Sequence, residues 1–182
     1  AAGLYRRADM TRLSRSDGDK RNYAVLASLR VDRAEKIPAP QERVEARFAN
    51  GAVLVGWSAG PDERSAKLII RRGRPFSLML QWQAEARITG DYTVFVHLVD
   101  RDGHLVAQSD REPLDGRLPT SAWRLTERVV DRCELALPAD LSPGEYELLV
   151  GLYSMPDAQR SRVVYQGRSD DKVTLGAITV VE

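Results

Sequence analysis

Five residues, Gly56-Trp57-Ser58-Ala59-Gly60, spell the G-x-S-x-G pattern of a serine nucleophile. That chemistry needs the serine on a sharp strand-to-helix turn, with an acid and a histidine arriving later in the chain. A strand pattern precedes Ser58, and Pro61-Asp62-Glu63 has the composition of a helix start. The residues that follow, however, run into Gly73 and Pro75 without strand-helix alternation. A strand end entering a glycine-containing loop is the reading adopted, and a serine hydrolase using Ser58 is the alternative.

His97 and His104 are the only two histidines. His97 shares a strand face with Phe95 and Val99, where a hydrogen-bonded core histidine is expected rather than a metal ligand. Asp100-Arg101-Asp102-Gly103 has the beginnings of a calcium loop, but Leu98 stands where an acid is needed and the downstream glutamate is missing. A hairpin turn explains it better. Cys133 alternates with Leu135 and Leu137, as a buried and inert thiol would. With 26 acidic residues some carboxylate pair is inevitable, so none is singled out. No catalytic residue, metal ligand or cofactor is assigned. The candidate binding residues are aromatic: Trp123, Trp57 and Tyr153. Trp123 lies in the long connection 110–126, either as a stacking platform for a sugar or partner, or as a plug over the open end of the fold. The plug is favoured on the area that a buried indole contributes.

The elements that must position these residues are strands. Val44, Ala46 and Phe48 alternate up to Asn50-Gly51, a two-residue hairpin signal, and Val53, Val55 and Trp57 continue beyond it. Leu68–Ile70 is a short apolar run. Phe76, Leu78, Leu80 and Trp82 share one face of the next strand, opposite Ser77, Gln81 and Gln83. Tyr92–Val99 is apolar on both faces, as a central strand is, and Trp82 and Phe95 are expected to anchor the core on facing strands. Asp102-Gly103 turns that strand into 104–108, so that His97 faces Gln108. Val129, Cys133, Leu135 and Leu137 alternate after the long loop. Ser142-Pro143-Gly144 fits a type II turn and launches Tyr146, Leu148, Val150 and Leu152. Val163–Tyr165 and Val173–Val181 close the set. Many short strands without helical periods predict an all-β fold, a two-sheet antiparallel sandwich of jelly-roll or immunoglobulin-like type.

The chain has 182 residues, enough for one self-sufficient core plus an arm. A net charge of +1 gives no reason to expect nucleic acid as a partner. The single cysteine rules out an internal disulfide. No apolar run approaches the length needed to span a bilayer, and no signal peptide is visible. Residues 1–40 carry a charge of +4 against −3 for the remainder. Tyr23, Leu26, Ala27 and Arg30 would share one face of a short helix there, and Pro38 and Pro40 stop any helix. Residues 1–40 are read as an arm that docks on a partner, and 41–182 as the sandwich domain.

The runs Gln81-Trp82-Gln83-Ala84, Asp91 to Asp100 (DYTVFVHLVD), Leu118 to Trp123 (LPTSAW), Pro143 to Tyr146 (PGEY) and Val150 to Tyr153 (VGLY) add a family resemblance. Together they resemble a β-sandwich domain at the end of multispanning bacterial membrane proteins, mainly glycosyltransferases of the dolichyl-phosphate-mannose-mannosyltransferase type. The resemblance covers roughly 44–181. It implies a non-catalytic, extracytoplasmic accessory or interaction module, with a membrane-protein assembly or other protein as partner and carbohydrate as the alternative ligand. That family's catalytic carboxylates lie in its membrane-embedded part, so none is carried over. The sequence is then a fragment of such a protein or a free-standing relative of its end domain.

Overall fold

A computed structural model describes residues 37–60 and 68–182, of which Ile37–Glu182 belong to one compact unit. Twelve strands run in the order β1 (Glu42–Phe48), β2 (Ala52–Ala59), β3 (Ile69–Arg71), β4 (Pro75–Ala84), β5 (Tyr92–Val99), β6 (Leu105–Arg111), β7 (Arg128–Ala136), β8 (Gly144–Ser154), β9 (Gln159–Arg160), β10 (Val163–Tyr165), β11 (Arg168–Asp170) and β12 (Val173–Val181). The first sheet has the order β11-β10-β1-β2-β4-β7; the second has β3-β12-β8-β5-β6, with β9 added to β8. All pairings are antiparallel except β12 with β3. The two-sheet sandwich expected from the alternation is what forms.

The core lies between the sheets. Phe76, Leu78, Leu80 and Trp82 of β4 meet Val94, Val96 and Leu98 of β5 and Leu148, Val150 and Leu152 of β8, all buried. Trp82 is fully buried, with Phe48 at 5.7 Å and Trp123 at 6.1 Å between ring centroids. Its expected partner Phe95 is not there. Val94, Val96 and Leu98 take the inward positions, so the alternation turns Phe95 and His97 to the outer face of the second sheet. A second correction concerns β2. A bulge between Leu54 and Gly56 inserts one residue, so Leu54 and Trp57 both face inward instead of Val53, Val55 and Trp57.

Turns form at the expected glycines, but the hairpin loops are 49–51 and 101–103, one residue longer than the two-residue loops expected, and Gly144 (φ 159°) is extended at the start of β8 instead of closing a type II turn. Gly51 at φ 93° closes the β1–β2 hairpin, and its N–H donates to the Phe48 carbonyl at 3.0 Å. The Tyr146 hydroxyl donates to the Ser142 carbonyl at 2.7 Å and ties down the turn entering β8. His97 stands opposite Gln108, but not through a two-residue turn: the Asp100 N–H donates to the His104 carbonyl at 3.0 Å, closing a three-residue loop, and a register shift between Leu98 and Val99 restores that pairing. Thr120–Ala122 form one 3-10 turn in the long connection. The Thr120 hydroxyl donates to the Gly90 carbonyl (2.9 Å) and accepts from the Tyr92 N–H (3.0 Å), stitching that loop to the start of β5.

The boundary expected at Pro40 moves toward the N-terminus, because Ile37–Pro40 cross the outer face of the first sheet. Gln81, only 2% exposed, donates through Nε2 to the Pro38 carbonyl at 2.9 Å. A Cβ on Gly56 would lie 2.6 Å from Pro40 Cγ, so the glycine is required by that crossing. The rest of the arm, including the helix expected around Tyr23–Arg30, lies outside the described residues, as do Pro61-Asp62-Glu63. Among the described residues no helix is long and apolar enough to cross a membrane.

Candidate functional site

Ser58 sits inside β2, opposite Met79 of β4, and not on a turn. Its oxygen accepts the Gln41 N–H at 3.1 Å, and the Gln41 side chain in turn accepts the Ala59 N–H at 2.9 Å. Because Trp57 and Ala59 point into the core, Ser58 points to the outer face of the first sheet, whereas His97 lies on the outer face of the second. The nucleophile elbow anticipated as an alternative is therefore not formed. The motif's glycine and serine instead hold the crossing segment Ile37–Gln41.

Two of the three aromatic binding candidates are also corrected. Trp57 (3% exposed) and Trp123 (6%) belong to the core. The Trp123 indole N–H donates to the Leu118 carbonyl at 3.1 Å, and its ring packs on Trp82, so it is the plug. Neither ring has a face left for a ligand. Tyr153 is different: it lies half-buried on the outer face of the second sheet, opposite Thr93 of β5 and Arg160 of β9.

Around Tyr153 four strands bring together residues that the sequence keeps far apart. Phe95 of β5 lies across Gly151 of β8, where a Cβ would overlap the phenyl ring, so glycine lets the ring lie flat on the sheet. Phe95 is 1% exposed despite facing outward, because other side chains roof it. The His97 ring is 4.7 Å away, the Tyr153 ring stacks at 6.3 Å with an interplanar angle of 26°, and the Arg160 guanidinium stands 4.5 Å above the phenyl centroid. Asp110 of β6, opposite Phe95, bonds His97 Nε2 at 3.0 Å. Arg160 reaches Asp171 at 3.4 Å, and Lys172 reaches Asp170 at 3.2 Å and Asp171 at 3.4 Å. The Tyr153 phenol is held above its ordinary pKa, first by burial and then by the neighbouring Asp110 carboxylate. Burial opposes the Lys172 charge, but Asp170 and Asp171 outweigh it and raise that ammonium overall. The result is one half-buried ring, Tyr153, seated on the covered Phe95 ring and flanked by planar hydrogen-bonding groups. Sequence reasoning found Tyr153 and the hydrogen-bonded character of His97. It missed Phe95, Asp110, Arg160 and Gly151, whose proximity depends on strand register.

Farther along the same outer face, a half-open pocket of about 270 Å³ is lined by Val99, Glu147 and Ala177, with Asp100, Arg101 and Glu145 beside them. Arg101 pairs with Glu145 at 3.1 Å. Asp100 accepts the N–H groups of Asp102 (2.9 Å) and His104 (2.8 Å), with His104 Nδ1 at 3.2 Å. These bonds, led by the His104 N–H, hold its carboxyl below the ordinary value. Asp100, Asp102 and His104 come close enough together to offer three ligand atoms to a cation. The bonds to Asp100 are those of a closed hairpin turn, as the sequence led one to expect.

At the open seam between the sheets, Arg111 of β6 reaches inward to Asp131 of β7 at 3.0 Å, and Asp131 is fully buried. The same carboxylate oxygen accepts the Leu114 N–H at 2.9 Å, fixing the loop in which Leu114 and Asp115 have φ of 53° and 56°. Cys133 is buried beside it, its thiol 3.5 Å from the Ser109 hydroxyl and pushed up by burial. This is a structural joint below the surface.

No known family profile matches the chain, and no curated protein matches it in sequence. Solved structures do resemble it in fold. The C-terminal domain of wzt aligns at 16% identity and a TM-score of 0.46, over 79% of this chain and 83% of that one. A Niemann-Pick type C2 protein from the Japanese carpenter ant aligns at 7% identity and a TM-score of 0.43, over 80% of this chain and all of that one. At this distance the likeness assigns the chain neither a ligand nor a family.

Proposed function

We propose that this domain is a non-catalytic glycan-binding module whose recognition surface is the outer face of the second sheet, centred on Tyr153. The observation that carries the reading is the half-buried Tyr153 ring, seated on the covered Phe95 ring and flanked by His97, Asp110, Arg160 and Asp171. Sugar rings present an apolar C–H face and an equatorial rim of hydroxyls. An aromatic ring with planar carboxylate and guanidinium groups beside it complements both features. The sequence resemblance supports placing such a module outside the cytoplasm, as the accessory end domain of a membrane-protein assembly. A hydrolase centred on Ser58 has no supporting geometry, since that oxygen is engaged with Gln41 on the opposite side of the sandwich.

The test is a glycan array probed with the full chain and with Tyr153→Ala. Binding to a defined set of glycans, lost in the variant at unchanged melting temperature, is the expected result. Binding that survives Tyr153→Ala would move the recognition surface elsewhere, and no binding to any glycan would refute the reading.

A further inference from the structure

From what is open and what is covered around Tyr153, we infer that the site takes a single sugar unit carrying one linkage, the end of a chain or a one-unit branch. This rests on the glycan-binding reading above and narrows it to one subsite. The accessible aromatic surface comes first. Tyr153 is half-buried and is the last outward residue of β8 before Ser154 and the turn to β9. The Phe95 ring on which it stacks is buried and lies under the Arg160 guanidinium. Back along β8 the next outward residues are Gly151 and Leu149, about 7 and 13 Å away at a strand rise of about 3.3 Å. Both are buried beneath other side chains. A glycan laid along β8 would put its second and third units on positions that are already covered. Only the Tyr153 ring remains to stack on a C–H face, and one ring seats one pyranose.

The flanks set the number of linkages. Thr93 and Asp110 border the phenol hydroxyl on the side of β5 and β6, and Arg160 with Asp171 stands on the side of β9. An internal unit of a linear glycan is linked at two edges of its ring and must send chain out both ways. With side chains on both flanks and covered sheet behind, one direction is left, past the end of β8, where Met155 is exposed. A unit with one linkage can leave that way and keep its other hydroxyls free to meet the flanking carboxylate and guanidinium groups.

The experiment is calorimetric titration and saturation-transfer NMR of the full chain with the methyl glycosides of mannose, glucose and galactose and with their linear oligosaccharides of two to six units. A glycan bound only on the array is titrated in the same way, as the methyl glycoside of each terminal unit and as the whole chain. Affinity should be complete at one unit, changing by less than about threefold up to the longest chain, and saturation should fall on one end or branch unit. Tyr153→Phe, which keeps the ring, should preserve this profile, and Tyr153→Ala should abolish binding at every length. A larger rise of affinity with length, or saturation over two or more consecutive units, would overturn this inference while leaving a glycan-binding module standing. Failure of every sugar in solution and on the array would overturn the module itself.

Discussion

Asp131→Ala tests how the open seam of the sandwich is held. The carboxylate is fully buried and holds both Arg111 Nη2 at 3.0 Å and the Leu114 N–H at 2.9 Å. Removing one partner of a buried ion pair typically costs about 3–5 kcal/mol, because the other charge is left uncompensated. The low end applies here. Arg111 is 19% exposed and keeps Asp115 at 2.9 Å, so it is not stranded, and burial pushes the Asp131 carboxyl above its ordinary pKa against the pull of Leu114 and Arg111. A loss of about 3 kcal/mol in a domain of this size lowers the melting temperature by roughly 6–12 °C. Asp131→Asn keeps an acceptor for both donors and should lose only about 1 kcal/mol. The raised pKa also sets a pH dependence. The native state binds a proton that the unfolded state has released, so this group's contribution falls as pH rises from the ordinary carboxylate value of about 4 through the folded value. That component should vanish in Asp131→Asn. Thermal melts by circular dichroism across pH, on the parent and both variants, measure all of this. A melting temperature for Asp131→Ala within about 2 °C of the parent would refute the reasoning, because no reading of a buried pair on these distances allows so small a change.

Trp82→Ala removes a fully buried indole between Phe48 and Trp123, and should cost about 3–5 kcal/mol or unfold the domain in a urea titration. Phe95→Ala removes a ring that is 1% exposed beneath Arg160 and should also cost about 3–5 kcal/mol in the same titration; a loss below about 1 kcal/mol would contradict its burial. A chain begun at Gln41 should melt lower than one begun at Ile37, because buried Gln81 loses the Pro38 carbonyl, a loss of about 1–3 kcal/mol; identical melts would show the crossing segment to be dispensable. Ser58→Ala should leave the hydrolysis of short acyl esters where it is in the parent, and serine-dependent turnover in the parent would revive the hydrolase.

Local patterning was sufficient for the all-β class, for most strand positions and for placing turns at Asn50-Gly51 and Asp102-Gly103, because alternation and turn chemistry are properties of adjacent residues; the type II turn expected at Ser142-Pro143-Gly144 does not form, since Gly144 at φ 159° is already extended in β8. It was insufficient where the two faces of a strand read alike. Tyr92–Val99 is apolar on both sides, so period two cannot tell inward from outward, and only the packing of Val94, Val96 and Leu98 against the opposing sheet turned Phe95 out. In β2 the bulge at Leu54–Gly56 shifted the phase by one residue, a change that depends on pairing with β4. Trp57 and Trp123 resemble ligand platforms in sequence because aromatic residues serve cores and binding sites equally, and burial alone separates the two. The candidate site was the least legible of all. Tyr153 and His97 are visible as residue types, but Phe95, Asp110, Gly151 and Arg160 become neighbours only through the register of β5, β6, β8 and β9. That register is set by long-range pairing and core packing, which no stretch of sequence contains by itself.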